Sequence, residues 1–175
     1  MQEEVILVDE KDRPRGTMEK MEAHVKGELH RAISVFIFNE KGEMLIHQRA
    51  MEKYHCPGLW TNTACSHPRH MEQTADAASR RLQEEMGMQA DLLEIGTFVY
   101  RAEFDNGLIE HELDHVFVGI SNNEPQINPE EVKAYKWVKC DELVADIAVN
   151  PQNYTAWFKI IMKDQWEKMK KWLNK

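Results

Sequence analysis

The sequence predicts an α+β domain built around a mixed β-sheet. Three observations lead to this prediction: β-prone runs form hairpins at turn residues, a central segment has amphipathic-helix spacing, and a second amphipathic segment closes the chain. With 175 residues, 42% of them hydrophobic, the chain has the size and apolar content of one domain. No internal repeat or low-complexity linker divides it. We therefore expect a single domain over residues 1–175.

Composition excludes several classes of function. A formal net charge of -8 lacks the basic excess that a nucleic-acid-binding surface needs. No apolar run approaches the roughly 20 residues of a membrane-spanning helix. The odd number of cysteines (Cys56, Cys65, Cys140) and an N-terminus without signal-peptide character indicate free thiols in a reducing cytoplasm. We expect no nucleic-acid or membrane partner, and any anionic substrate would need a local basic cluster. The sequence leaves monomer and homodimer open.

The N-terminal part predicts short strands. Residues 5–8 are an apolar run between acids, expected as an edge strand, and the Arg-Pro-Arg-Gly of residues 13–16 is expected to end it in a turn. Residues 17–30, which carry Lys20, His24 and His30, read as an exposed segment. Residues 32–38 and 44–48 are β-prone and flank an Asn-Glu-Lys-Gly turn, which predicts a hairpin.

A helix is predicted from about Ala75 to Met86. One apolar stripe would consist of residues spaced three and four apart: Ala75, Ala78, Leu82 and Met86. Thr74 is a candidate N-cap, and Gly87 can end the helix. Arg81 and Glu85 are four residues apart, so they share a face that adjoins the stripe and points towards the preceding loop.

The next pair of strands is predicted around the turn Asp105-Asn106-Gly107. Because strand side chains alternate, Glu110, Glu112 and Asp114 point to one face. The repulsion between such carboxylates needs a cation or water to offset it. A three-residue loop would place Tyr100 opposite Glu112, whereas a two-residue loop would place Arg101 there, and the sequence leaves this register open.

The C-terminal part predicts one more strand and two helices. The strand covers residues 133–138, and a short helix covers residues 141–147 before Pro151. From Thr155 onwards, apolar residues recur among lysines as in an amphipathic helix that packs on the body: Phe158, Ile161, Met162, Met169, Trp172 and Leu173.

Two groups of side chains are candidates for chemistry. Three imidazoles and two carboxylates make a nearly octahedral nitrogen/oxygen ligand set suited to Mn²⁺, Zn²⁺ or Fe²⁺: His24, His30, His67, Glu110 and Glu112. Four basic residues beside these segments suit a phosphate or diphosphate: Lys20, Arg49, Lys53 and Arg81. The alternative interpretation is that these are surface histidines, solvated glutamates and solvated basic side chains.

Cys65 lies in a polar loop two residues before His67. A lone cysteine commonly serves as a small buried apolar residue, which remains an alternative. Beside a cation and a basic cluster, however, its thiol would have a lowered pKa and could exchange protons.

Three separated motifs, in order, resemble the type I isopentenyl-diphosphate isomerases: PGLWTNTACSHP, AASRRLQEEMGM and YRAEFDNGLIEHELDHVF. The resemblance extends from LVDEKDRPRGTMEK to the C-terminal tryptophan-containing helix. It implies a Nudix-like fold, a mixed sheet with a central Nudix-type helix and flanking helices. Residues 66–88 lie where the Nudix box would fall, and Glu72, Arg80, Leu82, Glu84, Glu85, Gly87 and Met88 match it. Ser66 replaces the first glycine of the box, and Arg81 replaces the glutamate after its arginine.

The resemblance further implies an enzyme of isoprenoid biosynthesis that interconverts isopentenyl and dimethylallyl diphosphate. One divalent ion, Mn²⁺, Zn²⁺ or Mg²⁺, would bind the five histidines and glutamates named above. Mg²⁺ carried by the substrate diphosphate would be held by the Glu85 side chain and the Cys65 backbone. Cys65 and Glu112 would be the acid/base groups, with Tyr100 hydrogen-bonded beside Glu112. The four basic residues would bind the diphosphate.

Trp157 resembles the tryptophan that faces the carbocation in this family, and Trp60 could share that role.

The rival enzyme class is a Nudix hydrolase of a nucleoside diphosphate derivative. Arg81 disfavours it, because the glutamate that it replaces helps to hold the catalytic magnesium. A non-catalytic Nudix-like binding module is the third possibility. Whether the segment around Lys20 closes over the substrate as a lid is open.

Overall fold

The fold is described from a computed structural model, which covers residues 2–175. Its strands in chain order are β1 (Glu4–Val8), β2 (Pro14–Glu19), β3 (His30–Phe38), β4 (Glu43–Arg49), β5 (Trp60–Thr61), β6 (Ala64–Ser66), β7 (Leu93–Glu103), β8 (Ile109–Ile120) and β9 (Val132–Lys139). The helices are α1 (Lys20–Lys26), α2 (Thr74–Met86), α3 (Cys140–Val149) and α4 (Ala156–Leu173), with a 3₁₀ turn at Pro151–Asn153.

Strand β3 is the centre of a mixed sheet. Along one edge it pairs in parallel with β8 over its whole length, from His30 opposite Glu112 to Phe38 opposite Ile120. Its other edge is shared by β1, β6 and β4, all antiparallel. β9 extends the sheet beyond β4, and β7 extends it beyond β8. The α+β class and the mixed sheet are therefore confirmed.

The two long helices cover opposite faces of this sheet. Leu82 and Met86 of α2 are fully buried in one core cluster with Ile33 and Ile37 of β3. Phe158 and Ile161 of α4 pack in a second cluster with the alternate β3 side chains, such as Phe36. Successive residues of β3 thus enter different cores, which explains why the whole run reads as hydrophobic instead of alternating.

The N-terminal predictions need correction. Asp9 Oδ1 accepts bonds from the backbone N–H groups of Lys11 and Arg13, at 2.9 and 3.0 Å, so the turn closes before Pro14. Pro14 then begins β2 instead of breaking the chain, a position that proline tolerates at a strand start. Since β2 pairs with β1, β2 lies at the sheet edge and β1 is internal.

The segment read as exposed is also different. Glu19 accepts bonds from two backbone N–H groups at the start of α1, and Gly27 ends that helix in the left-handed conformation with φ of 69°. This short helix turns His24 inward, and His30 begins the central strand. The two imidazoles are 1% and 0% exposed.

Two details of α2 are wrong in the prediction, whereas its existence and its end at Gly87 are confirmed. The N-cap is Gln73, which makes no side-chain cap bond, and Thr74 is already the first helical residue. Ala75 is exposed, and Ala77 is buried in its place. The reason is that the inward face includes Glu85, two turns beyond Ala77, so the stripe is rotated away from Ala75.

The hairpin between β7 and β8 has the three-residue loop. Phe104 donates its backbone N–H to the carbonyl of Leu108 at 3.0 Å, which closes the turn at Asp105-Asn106-Gly107. This register sets Tyr100 opposite Glu112 and Arg101 opposite His111. The hairpin of β3 and β4, the strand β9, the helix α3 and the terminal helix α4 are likewise confirmed.

Candidate active site

A pocket opens between β3, β8 and α4, at the end of the sheet where β3 begins. Its empty volume is about 600 Å³, with the open mouth included. Acid/base groups and basic side chains both line it. The lining comprises Lys20, Ser34, His47, Arg49, Lys53, Tyr54, His55, Cys65, Ser66, His67, Arg81, Glu85, Tyr100, Glu110, Glu112, Glu131 and Trp157.

We call the cluster of His24, His30, His67, Glu110 and Glu112 the imidazole–carboxylate end. His67, Glu110 and Glu112 line the pocket, and His24 and His30 contact the two carboxylates. Ligand atoms of four of these, all but Glu110, lie within 4.8 Å of one another, and all four residues are buried. Glu110 joins them through its Oε2 atom, 3.2 Å from His24 Nε2. Glu112 Oε1 is 3.2 Å from His67 Nε2 and 3.6 Å from His30 Nε2.

Backbone carbonyls fix the tautomers of two of these histidines. His24 Nδ1 lies 2.6 Å from the carbonyl oxygen of Lys20, and His30 Nδ1 lies 2.8 Å from that of Glu28. Each Nδ1 therefore donates, and each Nε2 presents a lone pair to the cluster. Within residues 2–175, neither Nε2 atom has a hydrogen-bond partner, and neither does Glu110 Oε2.

These observations fit a divalent cation. Buried polar atoms without partners are costly, and here they converge from three separate elements. Neutral imidazole nitrogens and carboxylate oxygens form a borderline donor set for Mn²⁺ or Zn²⁺. His67 suits this role because burial lowers its pKa to about 3, which keeps the ring neutral.

The carboxylates of β8 have pKa values that burial and mutual repulsion drive apart. Burial, followed by the charge of Glu110, raises the pKa of Glu112 to about 7. Although burial opposes it, the close neighbours Glu112, His24 and His55 hold the pKa of Glu110 well below its usual range. Burial and the charge of Glu112 raise the pKa of Asp114 well above its usual range, and Asp114 accepts a 2.6 Å bond from Ser34. Burial and the neighbouring carboxylates thus favour the protonated forms of Glu112 and Asp114.

Cys65 reaches the pocket from β6, where it is the register partner of Ser34 on β3. The lowered thiol pKa was expected beside a bound cation, and in the protein alone the shift has the opposite direction. Burial and the nearby carboxylates of Glu85 and Glu112 raise the pKa of Cys65, and Arg49 offsets this only in part. The thiol therefore carries a proton at neutral pH.

Two aromatic side chains complete the wall beside the acids. The hydroxyl of Tyr100 donates to Glu112 Oε2 at 3.0 Å, and burial raises the pKa of Tyr100 well above its usual range. Trp157 is 4% exposed and lines the pocket, where the Arg49 guanidinium carbon lies 5.2 Å from its ring centroid. Trp60 does not line this pocket, and Lys136 covers its ring at 4.3 Å.

We call the other end of the pocket the basic end, defined by Lys20, Arg49, Lys53 and Arg81, all of which line the wall. Internal carboxylates already pair with three of them. Lys53 contacts Glu131 at 2.7 Å, and Lys20 contacts Glu3 at 2.9 Å. Arg81 contacts Glu85 at 2.6 Å and Glu131 at 3.4 Å.

Adjacent arginines of α2 have separate surroundings. Arg80 donates from Nε and Nη2 to both carboxylate oxygens of Glu72, at 2.7 and 2.9 Å, and Nη2 also bonds the carbonyl of His67 at 3.3 Å. Arg80 thus links helix α2 to the loop that contains His67. Arg81 turns instead into the pocket, beside Glu85, which is 3% exposed.

The sequence did not identify some of the residues that line the pocket, among them Ser34, Tyr54, His55 and Glu131. One of these is His55, whose Nε2 lies 3.0 Å from Glu110 Oε1. Burial outweighs this contact and lowers the pKa of His55. Neither His55 nor Glu131 lies in a periodic segment, so no spacing pattern indicated that they face the pocket.

Comparison with known proteins places this geometry in a family. Residues 28–158 match the NUDIX domain. A protein of Pectobacterium atrosepticum named isopentenyl-diphosphate Delta-isomerase is 53% identical over 170 residues, 95% of each chain. The isopentenyl-diphosphate Delta-isomerase 2 of Aromatoleum aromaticum is 50% identical over 90% of this chain and 83% of its own. The isopentenyl-diphosphate Delta-isomerase of Serratia proteamaculans is 48% identical over 94% and 92%.

Solved structures support the fold at lower identity. A Deinococcus radiodurans protein superposes with a TM-score of 0.71 at 20% identity, covering 85% of this chain and 90% of its own. The MutT protein of Methanosarcina mazei superposes with a TM-score of 0.64 at 18% identity, covering 77% and 91%. In the part of the chain that the structure describes, no helix combines the length and apolar character needed to cross a membrane.

Proposed function

The chain belongs to the isopentenyl-diphosphate Delta-isomerases within the NUDIX-domain family, and we propose that its pocket interconverts isopentenyl and dimethylallyl diphosphate by two proton transfers. The observation that carries the proposal is the position of Glu112. Its carboxyl group contacts His30, His67 and Tyr100 in the same pocket that Cys65 lines. The reaction is a step of isoprenoid biosynthesis.

The chemistry requires a proton donor and a proton acceptor. Protonation of the terminal alkene carbon gives a tertiary carbocation, and removal of a proton from the neighbouring carbon gives the internal alkene. Cys65 and Glu112 are assigned these roles because they reach the pocket from different strands, β6 and β8. One delivers a proton and the other accepts one, and the roles are exchanged when the reaction runs in reverse.

The raised pKa values suit this assignment. In the metal-free protein, burial keeps the Cys65 thiol protonated, and a pKa of about 7 leaves Glu112 able both to donate and to accept near neutral pH. A general acid or base works best when its pKa lies near the operating pH. Tyr100 holds the Glu112 carboxyl in place through its 3.0 Å hydrogen bond.

A divalent ion fits the imidazole–carboxylate end, with His24, His30, His67, Glu110 and Glu112 as the residues that would hold it. When bound, it supplies positive charge that lowers the pKa of neighbouring acids and stabilises their anions. Mn²⁺, Zn²⁺ or Mg²⁺ is proposed for this site. No proton transfer to the substrate is assigned to these histidines, since the Nε2 atoms of His24, His30 and His67 lie 3.2, 3.6 and 3.2 Å from Glu110 or Glu112.

The basic end is assigned to the substrate diphosphate, which enters as its Mg²⁺ complex. Arg49, Lys53 and Arg81 present guanidinium and ammonium groups to the same wall, and Lys20 approaches from the start of α1. Glu85 and the backbone of Cys65 are the proposed contacts of the substrate-bound Mg²⁺. Charge-assisted hydrogen bonds from arginine suit phosphate oxygens in particular.

The carbocation must be kept from water, and Trp157 is assigned this role. The indole is 4% exposed and forms part of the pocket wall. An aromatic face can stabilise a desolvated cation by up to about 2 kcal/mol. Trp60 has no place in this assignment, because it does not line the pocket.

Hydrolysis of a nucleoside diphosphate derivative is less supported. The arginine Arg81 occupies the box position where a hydrolase has a carboxylate, and it binds Glu85 at 2.6 Å. A positive side chain at this point opposes the magnesium that hydrolysis needs.

The thiols of Cys56, Cys65 and Cys140 are free, which suits the proposed cytoplasmic setting.

The test is direct. Purified protein is loaded with Mn²⁺ or Zn²⁺ and incubated with isopentenyl diphosphate and Mg²⁺, and the products are separated by chromatography. We expect dimethylallyl diphosphate, together with uptake of one deuterium when the reaction runs in D₂O. Release of phosphate or of a nucleoside monophosphate from diphosphate substrates, without isomer formation, would contradict the proposal.

A further inference from the structure

His55 lies beside the imidazole–carboxylate end and has no role in the reaction as derived above. It belongs to the loop between β4 and β5, where Arg49 and Leu59 close the base through backbone hydrogen bonds. Its Nε2 atom lies 3.0 Å from Glu110 Oε1, and the two side chains are 11% and 3% exposed. The contact is therefore almost removed from water.

The His55 ring is held in one orientation. Its centroid lies 4.3 Å from that of Tyr54, 5.4 Å from that of Trp157 and 6.0 Å from that of Phe104. The Arg49 guanidinium donates to the His55 carbonyl at 3.3 Å. A ring packed on three sides cannot rotate away from Glu110 without displacing its neighbours.

Glu110 is shared between His55 and the cluster. Its Oε1 faces His55, whereas its Oε2 lies 3.2 Å from His24 Nε2 and has no hydrogen-bond partner within residues 2–175. A carboxylate oxygen accepts, so His55 Nε2 must be the donor in this contact. With Oε1 occupied in this way, the remaining oxygen of Glu110 is directed to the cluster.

We propose that His55 is a positioning residue that orients Glu110 for the divalent ion by donating its Nε2–H to Oε1. This inference rests on the proposed function for the presence of the ion. His55 is not assigned as a ligand, because its Nε2 atom contacts Glu110 Oε1, whereas His24 contacts Oε2. Residues that orient a metal ligand in this manner typically change metal affinity by about 10- to 100-fold when they are lost.

Two substitutions separate this role from simple packing. In His55→Gln the side-chain amide nitrogen falls close to the position of imidazole Nε2 and can still donate to Glu110. In His55→Asn the amide is too short and falls near the position of Nδ1 instead. The exposed His70 provides a matched control in His70→Gln. Circular dichroism and the melting temperature of each metal-free variant establish that it is folded.

The readout is metal affinity without substrate, measured with Mn²⁺ and Zn²⁺ by chelator competition, and the visible spectrum of the Co²⁺-substituted protein. We expect His55→Asn to weaken binding by about 10- to 100-fold and to alter the Co²⁺ spectrum. His55→Gln and His70→Gln should both resemble the parent protein. Equal losses in His55→Asn and His55→Gln, or parental affinity in His55→Asn, would overturn the inference.

The outcome of this test can be distinguished from the outcome of the isomerase assay. A parent protein that isomerises its substrate, together with a His55→Asn variant of unchanged metal affinity, would overturn the positioning role alone. Weakened metal binding in His55→Asn would support the positioning role even if the parent protein produced no isomer.

Discussion

The polar and charged groups at the two ends of the pocket differ in whether they have partners within the protein. At the imidazole–carboxylate end, Nε2 of His24, Nε2 of His30 and Oε2 of Glu110 are buried without hydrogen-bond partners within residues 2–175. At the basic end, Lys53 and Arg81 are already paired with Glu131 and Glu85. The first end presents buried donors that fit a cation, whereas the second holds internal carboxylates that the proposed diphosphate would displace.

This difference indicates how each end contributes to catalysis. The imidazole–carboxylate end is preorganised, so its binding free energy depends on a fixed arrangement of donors. Under the proposed function, substrate oxygens would replace Glu131 and Glu85 as partners of Lys53 and Arg81 at the basic end. Binding there is an exchange of ion pairs and gives a smaller net gain. Changes at the first end should therefore affect turnover and metal affinity, and changes at the second should affect the KM.

The largest effect is expected for the proton-transfer pair. Cys65→Ala and Glu112→Gln should each lower kcat by about 10²- to 10⁴-fold, because each removes one of two required acid/base groups. The two variants should differ in metal affinity, since Glu112 belongs to the group of donors and the Cys65 side chain does not. Steady-state kinetics and chelator competition measure the two effects. Residual kcat near that of the parent would overturn the corresponding role.

The next effect concerns the basic end. Arg81→Met should raise the KM for isopentenyl diphosphate by about 10- to 100-fold, because a charge-assisted hydrogen bond contributes roughly 1.5–3 kcal/mol. Metal affinity in the absence of substrate should change little. Arg101→Met is the matched control, since Arg101 is exposed and pairs only with Glu103 in the described residues. An unchanged KM in Arg81→Met would place the diphosphate elsewhere.

A smaller effect is expected for Tyr100→Phe. The change removes the 3.0 Å hydrogen bond to Glu112 and leaves the ring in place. A loss of about tenfold in kcat/KM corresponds to one hydrogen bond of roughly 1.4 kcal/mol. The pH profile of kcat should also shift, because the partner of Glu112 has changed. A loss as large as that of Glu112→Gln would give Tyr100 a direct part in proton transfer.

The smallest effect is on the stability of the metal-free protein. Because burial and Glu110 raise the pKa of Glu112 to about 7, the folded protein keeps a proton between about pH 4.5 and 7 that the unfolded chain releases. Stability should therefore fall as pH rises through this window, and Glu112→Gln should lose that dependence. Bound metal should reverse the slope, since its ligands bind deprotonated.

Thermal unfolding in the presence of chelator, from pH 4.5 to 8, measures this effect as a difference of a few degrees between parent and Glu112→Gln. The lowered pKa of Glu110 acts below the window, where its stabilising contribution is lost as pH falls. Parallel curves for the two proteins would show that Glu112 is not the group responsible.

Local patterns predicted the fold better than they predicted the pocket. The alternation in β8 and the spacing in α2 are properties of single segments, and both elements form where expected. The pairing of β2 with β1, by contrast, depends on a turn closed by Asp9. Hydrophobic periodicity in the sequence does not indicate such a turn. The prediction that residues 17–30 form an exposed segment was also wrong. A seven-residue helix is too short for its buried face to be recognised from the sequence pattern.

The pocket follows the same rule. Glu110 and Glu112 could be identified from alternation along one strand, and the register left open by the turn is now settled by its three-residue loop. His55 and Glu131 could not be found, because their approach depends on how irregular loops fold onto the sheet. The raised pKa of Cys65 in the protein alone could not be predicted, because burial, which the sequence does not report, outweighs the effect of Arg49.

The parallel pairing of β3 with β8 also has a consequence for folding kinetics. It joins residues far apart in the chain, as in the bond between Ser34 and Asp114, which are separated by 80 positions. Such contacts close large loops and form slowly. Since His30 and Glu112 are partners in this register, the metal donors assemble only once the two strands have aligned. An ion added during refolding should therefore leave the early phases unchanged and slow mainly the unfolding rate.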